Sequence, residues 1–213
     1  ERFMDLVDAK VGTKSGQKEI YKTKNKNVDM SHLITDHTCT EQYRAFLDWI
    51  LSRSNHQAGK ILDYGCDNGL LTCLIAKALS KAEVVGLEIV HEAVLCAREL
   101  ATRFKVGNVQ YRHGATQKLK GMSFDLAFMA WVSHEVFPSV LTNTGPSNFE
   151  LKEAKRIREL LAPEGVLVTV NRFPHSEESN ERLINLMETA GFAVSLTDTL
   201  FTKNEAFSIL VFE

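Results

Sequence analysis

The sequence predicts an α/β fold: a doubly wound, mostly parallel, seven-stranded sheet whose C-terminal strand runs antiparallel. Three observations carry that expectation. Apolar runs of strand length alternate with stretches of helical periodicity, a glycine-bearing turn follows the first strand, and too few residues separate the last two strands for a parallel crossover. The 213 residues, 44% hydrophobic and 24% charged, suit one core of ordinary size. A net charge of −2 and an isoelectric point near 6.4 give no broad attraction to nucleic acid or anionic membrane. No apolar run approaches the roughly 18 residues of a membrane helix. Residues Glu1 to Val11 lack a signal-peptide apolar segment, so a cytoplasmic setting is expected.

The elements follow in order. Residues Lys10 to Lys26 carry six lysines against one acid, Glu19, and read as a solvated arm. From Glu41, the residues Tyr43, Phe46, Leu47, Ile50 and Leu51 recur at helical spacing. Strand Ile61 to Tyr64 leads to a helix near Leu70 to Ser80, and strand Glu83 to Glu88 to a helix near Glu92 to Lys105, stopped at Gly107. Strand Val109 to His113 precedes a short turn, and strand Phe124 to Ala130 a long segment. Ser147 and Glu150 form a capping box for a helix to Leu161, which Pro163 and Gly165 break before strand Val166 to Asn171. A helix near Ser179 to Ala190 stops at Gly191, and strands Phe192 to Thr197 and Ala206 to Phe212 form the closing hairpin. Cys39, Cys66, Cys73 and Cys96 lack C-x-x-C pairing and read as free thiols. The histidine spacing suggests no metal site; His32, His37, His56, His91 and His175 read as surface residues.

The run from Lys60 to Leu71 is the most informative. A strand meets an acid, Asp63, and then Gly65 and Gly69, residues that let backbone approach a ligand and take unusual dihedrals before a helix opens. A dinucleotide fingerprint would place glycines where Asp67 and Leu70 stand. Asp63-x-Gly65-x-x-x-Gly69 instead resembles the first motif of class I S-adenosylmethionine-dependent methyltransferases, acidic-x-Gly-x-Gly-x-Gly, with Asp67 at the central glycine. Asp tolerates positive φ, so the turn survives, while its carboxylate opposes the cofactor's own.

The resemblance covers about residues 41 to 213 and implies the fold, the cofactor and its site. Residues 1–40 are then an N-terminal arm and candidate acceptor-site cover, and residues 41–213 the S-adenosylmethionine-binding domain. Asp63 falls where the family has an acid near the methionine moiety, beside Gly65, Cys66, Asp67 and Gly69. Glu88, 25 residues on, falls where a carboxylate accepts both ribose hydroxyls, followed by Ile89. His113-Gly114-Ala115-Thr116 falls where the family often has Gly-Asp-Ala. Ala115 has no acceptor, leaving adenine to backbone groups, Thr116 or Gln117. Phe124 to Ala130 resembles the fourth strand, with Trp131 walling either the adenine or the acceptor. Leu161-Ala162-Pro163-Glu164-Gly165 resembles the family's Leu-x-Pro-Gly-Gly turn.

The acceptor pocket is expected beside Ala130 and Trp131. His134 is the first candidate base, because a histidine can be neutral near physiological pH, and Glu135 is the second. The run Met129-Ala130-Trp131-Val132 lacks the Asp/Asn-Pro-Pro-Tyr/Phe motif of nucleobase-amine enzymes, and the chain lacks the paired glutamates of protein-arginine enzymes. A small-molecule acceptor is therefore expected, with loop Phe137 to Phe149 and segment Met30 to Thr40 as its cover. Two alternatives remain: a catalytically degenerate cofactor-binding or interaction protein, given Asp67, Ala115 and Glu164, and an RNA methyltransferase using the lysine arm.

Overall fold

The computed structural model describes residues 38–53, 59–142, 144–171, 177–202 and 205–213. Helix α1 spans Thr38–Arg53, followed by β1 Lys60–Tyr64, α2 Leu70–Ala78, β2 Glu83–Glu88, α3 His91–Arg103, β3 Val109–His113 and β4 Phe124–Ala130. Then come α4 Asn148–Glu159, β5 Leu161–Asn171, α5 Glu177–Thr189, β6 Val194–Phe201 and β7 Ala206–Phe212. Short helical turns occupy Thr116–Leu119, Ser133–Val136 and Pro138–Leu141. The lysine arm, His32, His37, His56, His175 and most of the segment Met30 to Thr40 lie outside the described residues.

Seven strands form one sheet in the order β3-β2-β1-β4-β5-β7-β6. The strands β1 to β5 are parallel, and β7 is antiparallel to both neighbours, as the short final connection requires. The chain winds outward in both directions from β1 and β4, which opens a crevice at their carboxyl ends. Side-chain alternation along β1 sets the two faces of the core. Ile61 joins Phe46, Ile75, Leu100, Phe128 and Phe207 on the α1, α2 and α3 side. Leu62 joins Val85, Phe124, Ile157, Leu186 and Phe212 on the α4 and α5 side. The same alternation turns Asp63 toward α2 and Tyr64 toward α4, where the Tyr64 hydroxyl donates to Glu153 Oε1 at 2.8 Å.

Helix α1 is tied to the closing hairpin. Trp49 Nε1 and Arg53 both donate to Asp198 Oδ2, at 2.9 and 2.6 Å. Gln42 Nε2 donates to Glu205 Oε2 at 2.7 Å. These contacts, with buried Phe46 and Ile50, bring Tyr43 over the end of β4.

Several boundaries differ from expectation, three of them for a clear physical reason. Helix α3 stops before Gly107, because Lys105 takes φ 54 and closes a Schellman motif: Lys105 N–H donates to Thr102 O and Val106 N–H to Ala101 O. Strand β5 begins at Leu161 and holds Pro163 and Gly165 inside a bulge, since Phe124 pairs with Leu161 and Leu126 with Val166. Only glycine fits at 165, where a Cβ would lie 2.5 Å from the Phe124 carbonyl oxygen. Strand β6 starts at Val194 and runs to Phe201, pairing with β7 to its end.

Candidate active site

The turn between β1 and α2 is built by three residues with positive φ: Gly65 at 77°, Asp67 at 47° and Gly69 at 74°. Gly65 and Cys66 N–H both donate to the Leu87 carbonyl of β2, at 2.8 and 3.1 Å, and Gly69 N–H returns to Cys66 O at 2.8 Å. Two glycines are also sterically required. A Cβ at Gly65 would lie 2.6 Å from Val132, and one at Gly69 2.6 Å from both Ala97 and the Tyr111 hydroxyl. That hydroxyl sits 3.2 Å from Gly69 O and from Cys73 Sγ, locking the turn from below. Gly69 gives α2 no side-chain cap, and Leu70 N–H reaches Asn68 Oδ1 only at 3.4 Å.

Glu88 ends β2 and fastens the turn. Its Oε2 accepts Asp67 N–H at 3.0 Å and its Oε1 accepts Val90 N–H at 2.8 Å. A carboxylate offers about four lone-pair sites, so acceptor capacity remains for a ligand. Burial raises the Glu88 pKa; the Val90, Asp67 and Ile89 amides counter that rise, and the Asp67 charge adds to it. Asp63 is deeper, 2% exposed, and accepts Thr72 Oγ1 at 2.5 Å. Burial lifts its pKa from the ordinary 3.8 to about 7; Thr72 lowers it, and Glu88 and Asp67 add to the rise. Burial likewise pushes the Cys66 thiol up, reinforced by Asp63, Glu88 and Asp67, so it stays protonated.

At the end of β4, Trp131 takes φ 59, a left-handed conformation costing about 1–3 kcal/mol for such a residue. Its ring is held by Tyr43, Phe46 and Phe207, with centroids 5.4, 6.1 and 5.7 Å away. Its indole N–H is buried with no hydrogen-bond partner among the described residues. The next turn is anchored by a buried polar chain: Ser133 donates to Asn171, whose amide donates to Thr169 Oγ1 at 3.1 Å. That chain fixes the backbone from which His134 and Glu135 project.

These elements enclose a cleft of about 540 Å³ at the carboxyl ends of β1, β2 and β4. A family model described as a methyltransferase domain matches residues 55–210. The chain belongs to the class I S-adenosylmethionine-dependent methyltransferases. An S-adenosylmethionine-dependent methyltransferase from Aquifex aeolicus is similar at 20% identity and a TM-score of 0.64, over 87% of this chain and 99% of that one. The magnesium protoporphyrin IX methyltransferase of Synechocystis PCC 6803 with bound S-adenosylmethionine gives 17% and 0.60, over 92% and 96%. The mitomycin 7-O-methyltransferase MmcR gives 14% and 0.68, over 100% and 60%. These are likenesses of fold. No curated protein matches in sequence.

The methyltransferase's cofactor is S-adenosylmethionine, which supplies a methyl group on a sulfonium. The residues fit it: Glu88 faces the cleft with a carboxylate suited to accepting from vicinal hydroxyls, and the cleft volume lies in the range of small-ligand sites. Of the expected residues, Asp63, Gly65, Cys66, Asp67, Glu88, Ile89, Ala130, Trp131, His134 and Glu135 all line this cleft. Gly69 and Ala115 are not among its lining residues. Thr116 lines a separate cavity of about 450 Å³ with Gln117 and Arg156. Sequence reasoning missed Gln42, Tyr43, Asn68, Leu71 and Val90 in the lining. Tyr43 had a signal, as it belongs to the apolar stripe of α1, and Asn68 and Leu71 lie within the glycine-bearing run; Gln42 and Val90 had none. No helix among the described residues is long and apolar enough to cross a membrane.

Proposed function

We propose that this methyltransferase transfers the methyl group to a small-molecule acceptor by in-line displacement, with His134 as general base. The carrying observation is that the glycine turn, Glu88 and His134 line one cleft. In this reading Asp63, Gly65, Cys66, Asp67 and Gly69 surround the methionine moiety. Glu88 takes the ribose and Ile89 lies against the adenine; Ala115 and Thr116, expected there from the sequence, stand outside this cleft and take no part in the reading. Ala130 and Trp131 separate the cofactor from the acceptor. His134, or Glu135 beside it, removes the acceptor's proton, and the fixed walls supply orientation, the main lever on a displacement of this kind. The names of two structural relatives, a magnesium protoporphyrin enzyme and a mitomycin enzyme, support a small-molecule acceptor.

Calorimetric titration of S-adenosylmethionine and S-adenosylhomocysteine into the protein and into Glu88→Ala tests the cofactor half. Micromolar binding weakened at least about hundredfold is expected, since two charge-assisted hydrogen bonds are lost. No binding by the intact protein would sink the reading. His134→Gln tests the base: kcat is expected to fall on the order of hundredfold with cofactor affinity unchanged.

A further inference from the structure

A second cavity, of about 450 Å³, lies apart from the cofactor cleft and, among the described residues, shares none of its lining. One wall is the helical turn Thr116–Leu119 with the residues that lead from it into β4; the other is the last turn of α4. Helical spacing puts Arg156, Glu159 and Leu160 on one face of that turn, at i, i+3 and i+4. Lys120 stands on the first wall. Met122 and Leu160 supply apolar surface, and both pack on the core of the α4 and α5 side.

The polar groups fall into two sets. Glu153 holds Arg156 in place, accepting from its Nη1 at 3.2 Å while its other oxygen takes the Tyr64 hydroxyl at 2.8 Å. A guanidinium is a rigid fork of several donors, so most of it remains after that bond, and Lys120 adds a second cation. Thr116, 3% exposed, lines the same cavity, and its hydroxyl is buried with no hydrogen-bond partner among the described residues. Such orphaned groups are rare, and a ligand oxygen would satisfy this one. These three side chains suit a carboxylate. Glu159 and the carboxyl end of α4, the negative pole of the helix, suit an ammonium. A lone anion would be opposed by Glu153, Glu159 and the helix end, and a lone cation by Lys120 and Arg156, whereas a zwitterion engages both sets and brings no net charge. We propose that this cavity is a second ligand site, for a free α-amino acid with an apolar side chain: carboxylate on Lys120, Arg156 and Thr116, ammonium on Glu159, side chain against Met122 and Leu160.

L-Leucine, 4-methylpentanoate and 3-methylbutylamine share one branched body and carry, in turn, both charges, the carboxylate alone and the ammonium alone. Each is titrated by calorimetry into the protein with and without excess S-adenosylhomocysteine, which keeps the amino acid out of the cofactor cleft. Leucine is expected to bind about tenfold or more tighter than either half, with or without the cofactor product. Lys120→Gln and Glu159→Gln, both at exposed positions, are each expected to weaken leucine roughly three- to tenfold. Thr116→Val keeps the shape and removes the orphaned hydroxyl; leucine should weaken by roughly the same factor while the thermal midpoint holds or rises. No binding of leucine, equal binding of a half, or an unchanged leucine affinity in any of the three variants overturns the proposal. So does leucine binding that S-adenosylhomocysteine abolishes, which would place the amino acid in the cofactor cleft.

Discussion

The buried carboxyl of Asp63 makes the stability of this protein depend on pH in a predictable direction. Its pKa is about 7 in the fold against 3.8 ordinarily, so between those values the native state holds a proton that the unfolded chain has released. Stability from this group is fully present below about pH 4 and is lost as pH rises to about 7. The slope is about 1.4 kcal/mol per pH unit, and the whole loss is of order 4 kcal/mol. Asp63→Asn keeps an oxygen for Thr72 and removes the titration. Urea denaturation of both proteins between about pH 5 and about pH 8 isolates the effect, because Glu150 and Asp198, whose pKa values are lowered, act below that window. Glu88 contributes the same sign to both proteins. Between about pH 5 and about pH 7, the wild-type midpoint should fall relative to the variant by roughly 1 to 2 M urea. A midpoint difference that stays constant across the window would refute the reasoning. Below about pH 7, a cationic ligand should also expel the Asp63 proton on binding. Titrations in two buffers of different ionisation enthalpy would read that release.

Three further outcomes are expected. Gly65→Ala must hold φ 77 and push aside Val132, 2.6 Å from the new carbon, so a loss of about 2–4 kcal/mol in thermal or urea unfolding is expected, with cofactor binding impaired. Burial pushes the Glu150 carboxyl up, but hydrogen bonds from the Ser147 side chain and amide and from Ser139 outweigh it, leaving a lowered pKa. That stability is present above pH 4.5 and lost as pH falls below it; Glu150→Gln should cost about 1–3 kcal/mol at neutral pH and flatten the acid limb of the unfolding curve. Asp67→Asn keeps a residue tolerant of φ 47 and removes a charge that opposes the cofactor carboxylate; calorimetry should show roughly three- to tenfold tighter S-adenosylmethionine binding.

The sheet was legible because its signals are local. The strands β2, β3, β4 and β7 fall at the expected residues, since each is a short apolar run bounded by a turn or a charge. The Ser147 and Glu150 capping box is formed as read, yet that Glu150 also accepts Ser139 N–H at 2.8 Å was not visible, because the partner belongs to a loop eleven positions away. The stop at Lys105 was hidden because glycine is the usual left-handed residue, and here hydrogen bonding of Val106 imposes that conformation on a lysine. In the site, the acid and glycine spacing located the turn and Glu88. The contacts that hold it, Tyr111 beneath Gly69 and Asn171 behind Ser133, join residues 42 and 38 positions apart. Only the folded chain brings such pairs together.

The strand order has a consequence for how the protein is made. Strand β7 lies between β5 and β6, although it is the last of the seven to be synthesised. Until residues 206–212 leave the ribosome, β5 presents an open edge and β6 has no neighbour in the sheet. The nascent chain therefore waits with a sticky apolar rim that only its final strand can close. A stop placed just before Ala206 should yield chains that scatter light and associate edge to edge, although every residue that lines the cofactor cleft is already encoded.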